Sequence, residues 1–403
     1  MKGFKVIYAL FFIASIFYAN LRFSGITPRH IMTVVMFIAC VRIEKRAFLD
    51  KYFKIYLFFV FGFGISSILT GYFAPFLNNL IGFYFVAYVG YWATKILVKK
   101  YNAQGFFVNL FVIVGLLDAL VTIGQFLYIP FFVTMPDILH TRTDERFQEL
   151  LESERDLSGI AIPGLIGDDV YNGYFMMVTA ILCLYYVRKG IGVLKLIPWL
   201  ICMIASYMIQ ERAAFLLAIV LSVLTMNKII FSGRSQKKML QMFFFYLVVA
   251  VGAVYLIDFL LGGDSRFAMG LEDEDRQYLW QRSWGFIEEN FLFGGWYMML
   301  DTKHIYPHNV LVNAWIYGGI LGLIVIVILL CKQMLQVIKT CFQKMTSVGI
   351  VNLLIGLSFA AFTLNSYYHN VSVVSGDIVV WMLWGAFILP ETFLKRINSS
   401  QHQ

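Results

Sequence analysis

The chain has 403 residues, of which 60% are hydrophobic, 17% aromatic and 14% charged, whereas ordinary soluble domains carry roughly 25% charged residues. That composition excludes a soluble globular enzyme and makes lipid the solvent for most of the fold. The formal net charge of +8 is not a footprint for nucleic acid, because the basic residues segregate with the connections between apolar runs, as membrane topology requires.

A spanning helix needs about 20 predominantly apolar residues, and such windows recur along the whole sequence. They predict an all-α, polytopic transmembrane helical bundle, one membrane domain over 1–403. About twelve spans fall near 4–23, 27–43, 54–74, 77–98, 105–127, 170–187, 193–210, 213–231, 239–261, 309–330, 350–368 and 374–390. The first window follows MKGFK and offers no small-x-small cleavage site, since Phe17 precedes Tyr18 and Ala19. It reads as a retained helix.

With the amino terminus in the cytoplasm, inner segments hold 22 of the 32 Lys and Arg residues, and Lys303 is the only lysine outside. Glu44, Asp50 and Glu391 are the only carboxylates on the inner side. This positive-inside pattern places both termini in the cytoplasm. The cysteines, Cys40, Cys183, Cys202, Cys331 and Cys341, form no disulfide or zinc pattern. No metal and no cofactor are expected.

Two larger outer loops, 128–169 and 262–308, hold most of the extramembrane chain. The first contains DERFQELLESERD, where Phe147, Leu150, Leu151 and, directly after it, Leu157 approximate one face of a helix lying on the membrane surface. The second contains LEDEDRQYLWQRSWGFIEENFLFGGW, acidic at its start as suits a helix amino terminus, aromatic as suits the interface, and broken at Gly294 and Gly295. Arg276 and Arg282 lie in it. A tight outer turn, MIQERAAFL, places Glu211 and Arg212 at the start of the next span, close to the outer-leaflet phosphates of the membrane lipids. Capping of helix ends is the structural explanation for that pair. Asp118 lies inside the fifth span, where a carboxylate suggests either function or a hydrogen-bonded tie between helices.

Four ordered pieces of sequence carry a family resemblance. They are the Gly-rich lead into the sixth span, PGLIGDDVYNGYF; the Arg-Ala step QERAAF; Arg276 and Trp280 with GGW at 294–296; and PHNVLVNAWIYGGILG. Together, over about 160–325, they resemble the bacterial O-antigen ligase and O-antigen polymerase superfamily of polytopic membrane glycosyltransferases. The chain departs from the family at Glu211, where Ser or Thr is frequent, and at Phe291, where proline is frequent. The resemblance implies an active site at the periplasmic face of the bacterial inner membrane and a donor glycan carried on undecaprenyl diphosphate. The acceptor is the hydroxyl of another lipid-linked repeat in polymerases, and of lipid A-core in ligases. A chain-length regulator protein is a further expected partner.

Transfer from a diphosphate needs charge stabilised on the leaving group and a proton removed from the incoming hydroxyl. Arginine grips phosphate oxygens bidentately, so Arg212, Arg276 and Arg282 are the candidate clamps. Imidazole ordinarily titrates near ~6.5, which makes His308 the candidate base. Glu211, Trp280, Tyr306 and Asn309 are supporting candidates, and His304 a nearby substitute. A helix cap made by His308 and Asn309 after Pro307 is the structural alternative, compatible with the catalytic one.

The aromatic composition, short loops and the SGDIVVWMLWG last span resemble polymerases more than ligases. A lipid-linked oligosaccharide flippase or transporter is the alternative from another class; it predicts internal repeats and broken helices.

Overall fold

The computed structural model describes residues 2–18, 26–45, 50–139, 162–188, 192–209, 211–230, 252, 274–303, 307–343, 347–367 and 372–390. The elements among them are helical: α1 Lys2–Phe17, α2 Pro28–Ile43, α3 Lys51–Leu69, α4 Phe73–Asn79, α5 Val86–Lys99, α6 Gln104–Phe126, α7 Pro130–Ile138 and α8 Asp169–Cys183. They continue as α9 Val193–Ile209, α10 Arg212–Ile230, α11 Glu274–Glu289, α12 Trp296–Lys303, α13 Val310–Cys341, α14 Ser347–Asn365 and α15 Ile378–Ala386. Among the described residues six segments are long and apolar enough to cross a membrane: Lys51–Leu69, Phe73–Lys99, Gln104–Phe126, Val170–Val187, Arg212–Ile229 and Val310–Cys341.

Caps move several edges away from the apolar windows. Helix α3 starts before residue 54 because the Asp50 carboxylate accepts the Tyr52 and Phe53 amides, each at 3.0 Å, satisfying donors that have no partner within the helix. It ends before residue 74 at Thr70 and Gly71, the latter at φ +81°. Asp377 caps α15 in the same way, and that helix is nine residues long where 374–390 was expected. Helix α13 runs beyond 330 to Cys341, since Lys332, Gln333, Gln336 and Lys339 end an apolar window but not a helix. Helices α4 and α5 are joined by a π-helical turn, Leu80–Phe85. Of the expected span 239–261 only residue 252 is described, and the surface helix expected within 140–161 lies outside the described residues.

The chain divides into two compact units, Met1–Met36 with Leu97–Gly270 and Phe342–Phe362, and Phe37–Ile96 with Leu271–Cys341 and Thr363–Gln403. Lipid is as apolar as a leucine side chain, so close packing and backbone satisfaction, more than hydrophobic burial, hold such units together. In the first, α6 meets α8 where Gly115 leaves room for Thr179 and where Phe111 stacks on Phe175 at 4.8 Å. In the second, α3 lies along α13 through an aromatic core. Phe63 packs on Tyr317 at 4.6 Å, Tyr317 stacks on Trp296 at 4.2 Å, and Tyr56 meets Trp381 at 4.5 Å.

Helix α13 is not continuous. Gly318 (φ −130°) and Gly319 (φ +65°) interrupt it, about 12 Å beyond its start at 1.5 Å per residue. A break there strands backbone groups where water cannot reach them. The turn at 290–295 supplies the partners: Gly295 N–H donates to the Ile316 carbonyl at 2.7 Å, and Ile320 N–H to the Phe291 carbonyl at 3.0 Å. Trp315 Nε1 donates to the same Phe291 carbonyl at 3.1 Å. The approach is backbone to backbone, and a Cβ on Gly319 would collide with the Leu292 carbonyl.

Gly319→Ala therefore destabilises the protein by at least about 2 kcal/mol, read by thermal unfolding in detergent. Gly285→Ala, on the exposed face of α11 with open space around it, stays within about 0.5 kcal/mol of the parent. Equal behaviour of the two variants would contradict the inserted turn.

Candidate active site

In the second unit the pieces around Trp280 and GGW meet the PHNVLVNAWIYGGILG piece. The two glycine pairs, 294–295 and 318–319, are neighbours through the backbone bonds just described. That junction anchors the carboxy-terminal end of α11, and a second bond fixes its middle. Trp280 Nε1 donates to the Pro307 carbonyl at 3.0 Å, the peptide immediately before His308.

His308 is half-buried with φ +48°, left-handed backbone that a residue with a Cβ adopts only when its surroundings impose it. Three groups of bonds impose it here. One is the Trp280 bond to Pro307. Next, Asn309 Oδ1 caps α13, accepting Leu311 N–H at 2.9 Å and Val312 N–H at 3.2 Å. Finally the start of α13 is stitched to the end of α14: Val310 N–H donates to the Ser366 carbonyl at 3.0 Å, and Asn309 Nδ2 to the Tyr367 carbonyl at 3.2 Å. The positive end of one helix thus faces the negative end of another. The capping role expected of Asn309 holds, while His308 is the bent residue that the cap and the Trp280 bond enclose.

Arg282 donates to the Tyr278 hydroxyl at 2.8 Å, with its guanidinium carbon 5.2 Å from that ring, and is exposed. It stands two residues from Trp280, roughly 200° around the helix, so α11 turns it away from the side bonded to Pro307. Arg276 lies one turn before Trp280 in the face register, its side chain outside the described residues. Tyr306 and His304 also lie outside them.

A polar pair absent from the sequence expectations flanks this region. The Tyr72 hydroxyl donates to Asp301 Oδ2 at 2.7 Å, and the Tyr72 and Tyr297 rings stack at 6.1 Å. Tyr297 donates to the Pro75 carbonyl at 2.9 Å. The bond to Asp301 raises the Tyr72 phenol above its ordinary range, and burial does the same for Tyr297, so both remain donors. Residues 229 apart in sequence left no local signal of this pairing.

In the first unit the other two motif pieces meet. A Cβ on Gly173, in VYNGYF, would stand 2.8 Å from the Glu211 side chain, so α8 lies directly against the QERAAF turn. Arg212 is the first residue of α10 and is half-buried, as is Glu211, whose carbonyl accepts Phe215 N–H at 3.0 Å. The Gly-rich piece forms a turn at 164–167 held from α6. Gln125 bonds both the N–H and the carbonyl of Gly164, at 3.0 and 3.2 Å, and Asp118 Oδ1 accepts Leu165 N–H at 2.7 Å. Asp118 is hydrogen-bonded, but to the backbone of the motif's turn and not, as a tie between helices would be, to a second helix. Among the described residues no cluster of three or more His, Cys, Asp and Glu side chains could hold a metal ion.

No protein-family model matches the chain, and no curated protein sequence matches it.

The capping geometry makes a graded expectation. Asn309→Ala loses the cap and costs about 1 kcal/mol or more, whereas Asn309→Asp keeps the accepting oxygen and loses only the bond to Tyr367, costing less. Chemical or thermal unfolding of the two variants checks the order, and an Asp variant no better than Ala would remove the cap from the account.

Proposed function

We propose that this chain is a membrane glycosyltransferase that polymerises repeat units. It transfers an undecaprenyl-diphosphate-linked glycan to a hydroxyl of an acceptor lipid-linked repeat at the periplasmic face of a bacterial inner membrane. In this reading the chain has about twelve spans and both termini in the cytoplasm. The observation that carries the reading is the setting of His308, a half-buried imidazole in left-handed backbone between a bonded Pro307 carbonyl and an Asn cap. Strain of that kind, held from three sides, suits a group whose aim matters.

The imidazole accepts the proton of the acceptor hydroxyl as its oxygen attacks the anomeric carbon. The bond from that carbon to the phosphate oxygen breaks, and undecaprenyl diphosphate leaves with the electron pair. Arginine is the fitting partner for that leaving group. On the second unit Arg276, one turn from Trp280, is the first choice and Arg282 the second; Arg212 is the candidate donor clamp that the first unit carries. Trp280 and Asn309 hold His308, and Glu211 holds the turn that presents Arg212.

A flippase or transporter reading draws support from the break in α13, since transporters bind cargo at broken helices. The polymerase reading is preferred because the groups bared at Ile316 and Ile320 are already bonded to the 290–295 turn, leaving them unavailable to cargo.

His308→Asn tests the assignment without removing the backbone preference, because Asn tolerates left-handed φ. It lowers transfer by roughly 10² to 10⁴ while leaving the melting temperature unchanged, and His308→Ala lowers transfer equally. Near-normal polymer from a stably made variant would overturn the assignment. Surface glycan from a deletion strain separates the classes. Core capped by one repeat supports a polymerase, uncapped core marks a ligase, and repeats stranded in the cytoplasm mark a flippase.

A further inference from the structure

Asp118 is completely buried in α6, and one of its two carboxyl oxygens lacks a partner. Oδ1 accepts the Leu165 amide at 2.7 Å, while Oδ2 is buried with no partner among the described residues. Asn172, at 0% exposure on α8, shows the complementary deficit. Its Nδ2 donates to Thr122 Oγ1 at 3.2 Å and to the Ile162 carbonyl at 3.0 Å, while its Oδ1 has no partner. Both side chains close around one glycine. A Cβ on Gly164 would stand 2.5 Å from Asp118 Oδ1, 2.6 Å from Asn172 Nδ2 and 2.8 Å from Thr122 Oγ1.

The elements around Asp118 carry Lys2, Lys5 and Tyr8 on α1, Asp137 on α7, Asp169, Tyr171, Tyr174 and Cys183 on α8, and Lys195, Cys202 and Tyr207 on α9, and no described side chain among them bonds it. Lys5 sits over the Phe106 ring, and the two thiols lie 3.7 Å from each other. A carboxylate here would be a buried charge with no counter-ion, an arrangement proteins avoid. One proton removes the charge and turns the orphan Oδ2 into a donor in the cluster that holds the orphan Asn172 oxygen.

We propose that Asp118 is held as a neutral carboxylic acid whose Oδ2–H donates to Asn172 Oδ1, and that this acid–amide clasp is a positioning device. It fixes the 162–167 turn to α6. The turn delivers Asp168, whose carboxylate caps α8 by accepting Tyr171 N–H at 2.7 Å, and the first turns of α8 then support Glu211 through Gly173. Asp118 thus acts on donor binding at Arg212 through the turn, touching no substrate. The link to donor binding rests on the function proposed above; the protonation state does not.

Two readouts on the full-length protein in nanodiscs test it. Infrared spectra of the parent at neutral pH show the carbonyl stretch of a buried, protonated carboxyl group, and Asp118→Asn lacks it. Asp118→Asn supplies the same acceptor and donor without a proton to lose, so it retains the parent's melting temperature and donor KM within about twofold. Asp118→Ala melts lower and raises donor KM about tenfold, with less change in kcat. Absence of the band, or an Asn variant as impaired as Ala, would overturn the clasp and indicate a charged carboxylate with a bound cation. If the protein transfers no glycan at all, the function proposed above fails, while the band and the order of melting temperatures still decide the clasp.

Discussion

A helix broken inside a membrane must find partners for the backbone groups it bares, and in this protein the partners come from the chain itself. The turn at 290–295 lies in the gap that Gly318 and Gly319 open in α13, exchanging two backbone bonds across it. Much of the second unit follows from that exchange. It anchors the end of α11, which carries Trp280 to the Pro307 carbonyl, which in turn fixes the peptide preceding His308. The site is therefore aimed by backbone geometry some 12 Å from it, with an indole as the connecting strut.

The first unit solves a related problem with side chains. Its irregular segment, the 162–167 turn, is also buried, and its polar backbone is met by Gln125, Asp118 and Asn172 projecting from helices. Irregular backbone at such depth survives only when covered by protein. In both units the irregular segment is glycine-rich, packed in the first against α6 and in the second against another motif piece, which gives those glycines a physical task. They permit contacts that any Cβ would block, as Gly164 and Gly319 show most directly.

What could be read from the sequence follows from how local each determinant is. The cap at Asn309 and the boundary at Pro307 are local, and the consecutive residues Pro307, His308 and Asn309 displayed them. The apolar windows located most helices but placed their edges late or early, because hydropathy averages ignore the carboxylates of Asp50 and Asp377 that start α3 and α15. The break in α13 was hidden by the unbroken hydropathy of WIYGGILG, since an apolar window registers polarity and not φ. The partner of Asp118, 47 residues away, and the Tyr72–Asp301 bond depend on tertiary folding that no local pattern encodes. The two glycine pairs were visible as motif pieces, yet nothing in either one said that it fits the other.

Chemical cross-linking of a cysteine pair at positions 291 and 320 measures the central junction directly, using membranes, a short thiol-reactive linker and a background lacking the five native cysteines. The Phe291 carbonyl and the Ile320 amide are bonded at 3.0 Å, so rapid intramolecular cross-linking is the predicted result, with little at 291 paired with 328, two turns farther along α13. Failure of the first pair, or equal reaction of the second, would place the 290–295 turn elsewhere and leave His308 without the support on which its assignment depends.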